Sequence, residues 1–445
     1  MRSTLWVCFH AALVACLAAG SGFSQVWDVP ARASASVSKE TGAKLRINAE
    51  ARGRYERRTG QSFGREPDLD TAIFRNRFTV AYKPVAWLKL QGAVQDSRAP
   101  GYGNNAPNSY RDQADLFEGY LELFPDRKTG FGMAAGRMTL AYGETRLLAT
   151  SSWGNVPRGF DGVRTYWRSS KGQVEFLWMA PVKPRVGEFN RPVPGDRIWG
   201  TYNTFPNLFR KSLVEFYVLR HEQNRPAGFT GGSTSAGTDR LRVDTFGGRL
   251  TGPLPEGLRY SLEGALQAGE VGPATHRAAA WFSALSRRWT VSGRPLDVTG
   301  EYKYASGTKD PQNASRVGTF DALYPSTHDK FGHMDLFGWR NIHAVRSQAT
   351  LGVTKSFTVN LMYLSWWLAS ERDALYSSSG KIIARSTAGT AGRHVGQETD
   401  IFGTYRYHRF TFGAGYGHMF KGAFVQNATP GVSPTYLYLF HTYSL

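Results

Sequence analysis

Cysteine is nearly absent. Cys8 and Cys16 lie close to the N-terminus and none follows. Disulfide staples, thiolate catalysis and cysteine zinc sites are therefore excluded from the rest of the chain, leaving only His and carboxylates for zinc. Past residue 24 there is also no apolar run long enough for a membrane-spanning helix, which needs about 18 residues. Carboxylates are scarce beside cations, 35 Asp and Glu against 54 Lys and Arg, for a formal net charge of +19. Such a surplus points to an anionic partner or an acidic lipid surface. Catalytic spacings are lacking too. His328, His333 and His343 stand near Asp329 and Asp335, but at offsets that match neither a nucleophile triad nor a zinc motif. The expectation is no enzyme, no catalytic residue and no metal site; a loop-bound Ca2+ is the only cofactor considered. Nucleic acid is not expected as a partner.

The N-terminus reads as a removable signal. Arg2 is followed by an apolar stretch over residues 5–19 and by small residues at Gly22 and Ser24, so cleavage after Ser24 is expected. Leu13-Val14-Ala15-Cys16 has the look of a lipidation site, but Leu17-Ala18-Ala19 carries the apolar run past it. Residues 25–42 are polar and form an expected periplasmic segment, leaving 43–445 for one folded unit.

That unit alternates. Along AKLRINAEARGRYER, Leu45, Ile47, Ala49, Ala51 and Tyr55 fall on one side, while Arg46, Asn48, Glu50, Arg52 and Arg54 fall on the other. In TAIFRNRFTVAYK, Phe74, Phe78, Val80 and Tyr82 oppose Arg75, Arg77 and Thr79. WLKLQGAVQDSR is less regular: Asp96 and Arg98 share phase with Leu90 and Val94, which asks for a bulge or a place above the membrane rim. In DLFEGYLELF, Glu118, Tyr120 and Glu122 share a side, and GFGMAAGRMT folds back on it, so a Glu118–Arg137 ion pair inside the structure is expected. RGFDGVRTYWR sets Arg164 and Arg168 against Val163 and Trp167.

The same period predicts further strands near 172–181, 197–205, 211–220, 241–250, 257–268, 276–290, 295–305, 340–352, 356–369, 396–407, 410–420 and 433–445. Connections alternate long and short, with GFTGGSTSAG at 228–237 a flexible loop tip. Many Trp residues, Trp87, Trp153, Trp167 and Trp366 among them, are expected in aromatic belts at strand ends. Charged faces behind aromatic faces, and loops of alternating length, fit an all-β fold. The expectation is a single transmembrane antiparallel β-barrel of about 18 strands, with long extracellular loops and short periplasmic turns, in a bacterial outer membrane.

Several blocks carry a family resemblance: QDSR at 95–98, GRMTLAYGETRLLATSSWGNV at 136–156, RGFDGVR at 158–164, FDALYPSTHDKFGHMDLFGWRN at 320–341, WWLASERDALY at 366–376, and the stretch 395–422. Together they resemble the alginate-export family of outer-membrane proteins, with Met138 and Ala149 as departures where Gln and Gly are common. The resemblance implies an 18-stranded barrel that passes an anionic polysaccharide through an arginine-lined pore, with a periplasmic export scaffold as a further partner. Guanidinium groups suit uronate carboxylates because they bind bidentately and stay charged. The candidate pore-lining residues are Arg46, Arg52, Arg54, Arg75, Arg77, Arg137, Arg164 and Arg168, with Arg98, Arg146 and Arg340 nearer the mouth. Glu50, Glu118, Glu122, Glu144 and Asp161 are the candidate acidic partners. A barrel-anchored adhesin and an outer-membrane enzyme are the alternatives.

Overall fold

The computed structural model describes residues 44–105, 109–209, 211–224 and 240–445. The expected signal, the polar segment to residue 42, both cysteines and the 228–237 loop tip lie outside the described residues.

Among the described residues, 18 antiparallel strands close into one barrel. In chain order they are β1 (Leu45–Thr59), β2 (Leu69–Val85), β3 (Leu88–Arg98), β4 (Asp112–Leu123), β5 (Gly130–Met138), β6 (Phe160–Ser169), β7 (Gly172–Lys183), β8 (Arg197–Phe209) and β9 (Ser212–Asn224). The second half comprises β10 (Arg240–Pro253), β11 (Leu258–Val271), β12 (Ala274–Val291), β13 (Arg294–Ala305), β14 (Ile342–Gly352), β15 (Phe357–Leu368), β16 (His394–Tyr407), β17 (Phe410–Lys421) and β18 (Thr435–Ser444). Each strand pairs with its sequence neighbour. β1 then pairs with β18, from Glu50↔Ser444 to Thr59↔Thr435, so no edge is left open.

Alternation builds the wall. Phe78, Trp167 and Leu266 are 50%, 61% and 64% exposed, whereas Arg52, Arg75, Glu175 and Glu263 are buried. A soluble sheet buries its apolar face; here the polarity is reversed because the outside meets lipid. No helix among the described residues is long and apolar enough to cross a membrane. One end of the barrel carries the short connections 86–87, 124–129, 170–171, 210–211, 254–257, 292–293, 353–356 and 408–409. The other end carries the long ones, with a single exception: 272–273 is a tight turn there.

Two expectations need correction. The Glu118–Arg137 pair does not form. The register sets Arg137 opposite Gly119, so Glu118 faces inward and Arg137 belongs to the outward phase shared with Ala135 and Val163. Arg137 pairs instead with Asp161, its partner across β5–β6, at 2.7 Å, and donates to the Asn190 carbonyl at 2.9 Å. Sequence alone left the hairpin register free by one residue, and one residue reverses the face. The aromatic belts also lose members: Trp366 is fully buried and faces the interior, and Trp153 packs inside against His328 and Tyr438. The irregular third strand behaves as expected. Its pairing with β4 shifts register between Ala93 and Val94 and again between Gln95 and Ser97, and Arg98 pairs with Asp96 on the exposed side at 2.8 Å.

The hydrophobic core lies inside the barrel. Segments 139–159 and 306–341 turn inward, and their Leu140, Leu148, Phe320, Phe331, Phe337 and Trp339 are buried against Met138, Phe160 and Phe282 of the wall.

Candidate functional site in the barrel lumen

The inward segment 139–159 is built as a small hairpin. The Thr150 amide donates to the Leu140 carbonyl at 2.7 Å and the Tyr142 amide to Leu148 at 3.0 Å. Gly143 (φ 55°) and Thr145 (φ 62°) take the left-handed turn between them. Tyr324 of the second segment lies alongside: its amide donates to Leu147, and the Ala149 amide returns to its carbonyl, both at 2.8 Å.

The hairpin tip reaches one wall. Arg146 donates through Nε to Glu263 of β11 at 2.7 Å and through Nη1 to Glu144 at 2.9 Å, with its guanidinium 3.4 Å above the Phe282 ring of β12. Glu144 accepts from Arg249 of β10 at 3.0 Å and from Ser261 at 2.9 Å. Tyr142 donates to Glu175 of β7. The following residues reach the facing wall. Arg52 of β1 and Arg75 of β2 donate to the carbonyls of Ser152 and Gly154 at 3.0 to 3.3 Å, and Arg54 donates to Trp153 at 2.8 Å. On an 18-strand ring β1 and β10 stand opposite one another, so this segment crosses the lumen.

Arg146 is the pivot of the crossing. It and Glu263 are both nearly inaccessible, and removing one member of such a pair leaves the other charge buried, a loss of about 3–5 kcal/mol. Arg146→Met is expected to loosen the hairpin and to expose residues 139–159 to limited proteolysis in the folded barrel; unchanged protection would show that the tip is held by packing alone. Burial by itself would raise the Glu144 carboxyl, but Arg146, Arg249 and Lys330 outweigh it and hold the group at about 2, against 4.5 ordinarily. A depressed carboxylate stabilises the fold above its unfolded value and loses that contribution as pH falls through the folded one. The clasp is therefore intact from neutral pH to 4.5 and weakens between 4.5 and about 2. Single-channel current stepped down to about pH 3 should first become unsteady below 4.5, and unsteadiness already at pH 6 would contradict this.

The other sequence-selected residues divide by place. Arg52 and Arg75 stand directly opposite each other on the inner face, with Glu50 bound to Arg75 at 2.7 Å. Arg54 pairs with Glu56 at 2.7 Å and lies 4.1 Å over the Trp153 ring. Arg77 donates to the Gln95 amide oxygen at 2.6 and 3.0 Å and lies over Phe117. Arg164 pairs with Glu175 at 2.9 Å, while Arg168 donates to Gln173 at 3.1 Å and to the Pro125 carbonyl at 2.9 Å. Glu118 accepts from Thr139 at 2.7 Å and Gln91 at 2.8 Å, and Glu122 accepts from Tyr166 at 2.8 Å. Arg46 is exposed at the short-turn end of β1. Arg340 lies in the second inward segment, bound to Asp321 at 3.3 Å. Arg98, Arg137 and Asp161 belong to the outward phase near the long-loop end, away from the inner face.

Sequence reasoning passed over inner-face charges on the later strands. Arg249 joins Glu215 to Glu144, and Glu301 holds both Lys303 at 2.8 Å and Arg346 at 3.2 Å. The period-2 phase that selected Arg52 and Arg75 would have found them, had it been carried along β9 to β14.

The alginate export family model matches residues 43–438. The chain belongs to the alginate export family. No curated protein matches it. Solved structures that share the fold include three from Pseudomonas aeruginosa. OccK11 (OpdR) has a TM-score of 0.61 at 12% identity, covering 90% of this chain and 96% of its own. OccD3 (OpdP) has 0.60 at 13%, covering 90% and 91%, and the outer membrane protein opdK has 0.60 at 9%, covering 90% and 98%. Family and fold together make the protein an outer-membrane channel. For this alginate-export barrel the block AYGETRLLATSSWGNV has a structural meaning: it is the segment that crosses the lumen.

Proposed function

We propose that the channel passes an anionic polysaccharide, of the polyuronate class, along an arginine-lined lumen. The observation that carries this reading is the band of guanidiniums on neighbouring inner-face positions, Arg52, Arg54, Arg75 and Arg77, continued by Arg164 and Arg168. Glu50, Glu56 and Glu175 among them hold the band in place and keep each binding step shallow, so that a polymer slides instead of sticking. Membership of the alginate export family supports the same class of cargo. Arg52 spends its hydrogen bonds on neutral oxygens of the crossing segment, and Arg75 gives Nη1 to two of its carbonyls while Nε and Nη2 hold Glu50. A uronate carboxylate is the stronger acceptor, since charge-assisted bonds are roughly twice as strong as neutral ones. Cargo and crossing segment thus compete for the same guanidiniums. A cleaved N-terminal signal and a periplasmic scaffold belong to the same proposal.

The test is reconstitution in planar bilayers. Anion preference is expected at about 0.1 M salt and should fade at about 1 M, where the Debye length falls from about 10 to about 3 Å. Uronate oligomers should reduce the current and neutral oligosaccharides of the same length should not. Cation selectivity, or equal block by both sugars, would leave an outer-membrane channel of other cargo.

A further inference from the structure

Where the two inward segments meet the wall, His328, Asp329 and His333 each offer one ligand-type atom, and the three atoms lie within 4.8 Å of one another. His333 Nδ1 is 2.9 Å from Asp329 Oδ1, and His328 Nε2 faces the same oxygen from 3.7 Å, beyond hydrogen-bond reach. His328 is only 9% exposed, so a largely buried histidine brings its Nε2 beside the Asp329 carboxylate without a hydrogen bond to it. Nitrogen and oxygen ligands at the usual bond lengths around a tetrahedral Zn2+ stand about 3.4 Å apart, and the two observed separations bracket that value.

The surroundings complete the pattern. Metal-bound histidines almost always donate their second ring N–H to a carboxylate or another oxygen acceptor, which fixes the tautomer. Here His328 Nδ1 meets the Asp335 carboxylate at 2.9 Å and His333 Nε2 meets the Tyr438 hydroxyl of β18. The rings are clamped as well. Trp153 stacks on His328 at 4.0 Å and 3°, and Phe402 of β16 stacks on His333 at 4.1 Å and 8°. Gly332 (φ 97°) lets the loop settle against β16, since a Cβ there would lie 2.5 Å from Glu398 Oε1. Asp329 is 55% exposed and so leaves the open side of the cluster toward water.

We infer that His328, Asp329 and His333 form a two-histidine, one-carboxylate site for a divalent transition-metal ion of the Zn2+ class, with Asp335 and Tyr438 orienting its histidines. Imidazole donors select such an ion over Ca2+, which takes oxygen ligands. All three ligands lie in residues 328–333, so the ion closes this loop on itself and fixes the His328 and His333 rings where they meet Trp153 of the crossing segment, Phe402 of β16 and Tyr438 of β18.

The full chain, without a histidine tag and folded in detergent, is titrated with Co2+ while visible absorption is followed, and Zn2+ is then added as competitor. One saturable equivalent, displaced by Zn2+ and unaffected by excess Ca2+, is expected. His328→Gln and Asp329→Asn should each abolish the signal. Asp335→Asn and Tyr438→Phe, which leave the ligands in place, should weaken binding about 10- to 100-fold. Heat-modifiable gel migration reports that each variant retains the barrel, and Tyr438→Phe keeps the test open should a ligand variant fail to fold. No saturable signal in the wild-type chain overturns the site, as does wild-type affinity in a His328→Gln, His333→Gln double variant.

Discussion

Exchanging residues 141–154 for a short Gly-Ser turn should raise single-channel conductance several-fold. The wall does not need the crossing segment: β5 and β6 pair directly from Gly130↔Arg168 to Met138↔Phe160. What the exchange removes is the hairpin that spans from Arg52 and Arg75 on one side to Glu263 and Arg249 on the other. Water replaces it, and the wall charges freed by the exchange become solvated instead of stranded, which avoids the penalty of a buried unpaired ion. The packing of Leu147 and Leu148 against Tyr324 is lost at the same time, so segment 306–341 loses one of its supports. Larger current with more open-state noise is the expected record. Conductance equal to wild type in a barrel that still shows heat-modifiable migration would mean that ions already bypass the crossing, and the lumen reading would have to change.

The second large effect is on selectivity. Arg77 and Arg168 direct their hydrogen bonds at amide and carbonyl oxygens, Gln95 for the first and Gln173, Pro125 and Arg127 for the second. Their charges are thus less offset locally than that of Arg75, which is bound to Glu50. In a narrow, low-dielectric wall such charges raise the local anion concentration far more than exposed ones do. Replacing both by Gln keeps hydrogen-bonding capacity and removes two positive charges. Anion preference at low salt should fall markedly, and block by uronate oligomers should become weak, while the crossing segment stays in place because Arg52, Arg75 and Arg146 are untouched. Reversal potentials across a salt gradient measure the first effect and oligomer titration the second. Unaltered selectivity in the double variant would move the filter to the Arg52, Arg54 and Arg75 cluster.

Strand phase was legible in the chain because a membrane barrel has two solvents. Each strand must show lipid an apolar face and the interior a polar one, so a simple alternation such as Leu45, Ile47, Ala49 against Arg46, Asn48, Glu50 fixes both the element and its orientation. Loop lengths carried the topology for the same reason: tight turns at one end leave antiparallel neighbours as the only connection. The destination of the long loops was not legible. Segments 139–159 and 306–341 read as surface loops, although Leu140, Leu147, Leu148, Phe320, Phe331 and Phe337 are more apolar than water-facing loops need be. That excess was the available signal. Its meaning depends on partners far away in sequence, as with Arg146 and Glu263 or His333 and Tyr438, more than 100 residues apart. Local pattern determined the barrel and the side of the wall for inner-face residues such as Arg52, Arg75 and Arg164, but not for Arg98, Arg137 and Asp161. Only the closed tertiary structure decided which of those arginines face open lumen and which grip a segment folded across it, because that choice is made by long-range packing and by the one-residue register of each hairpin.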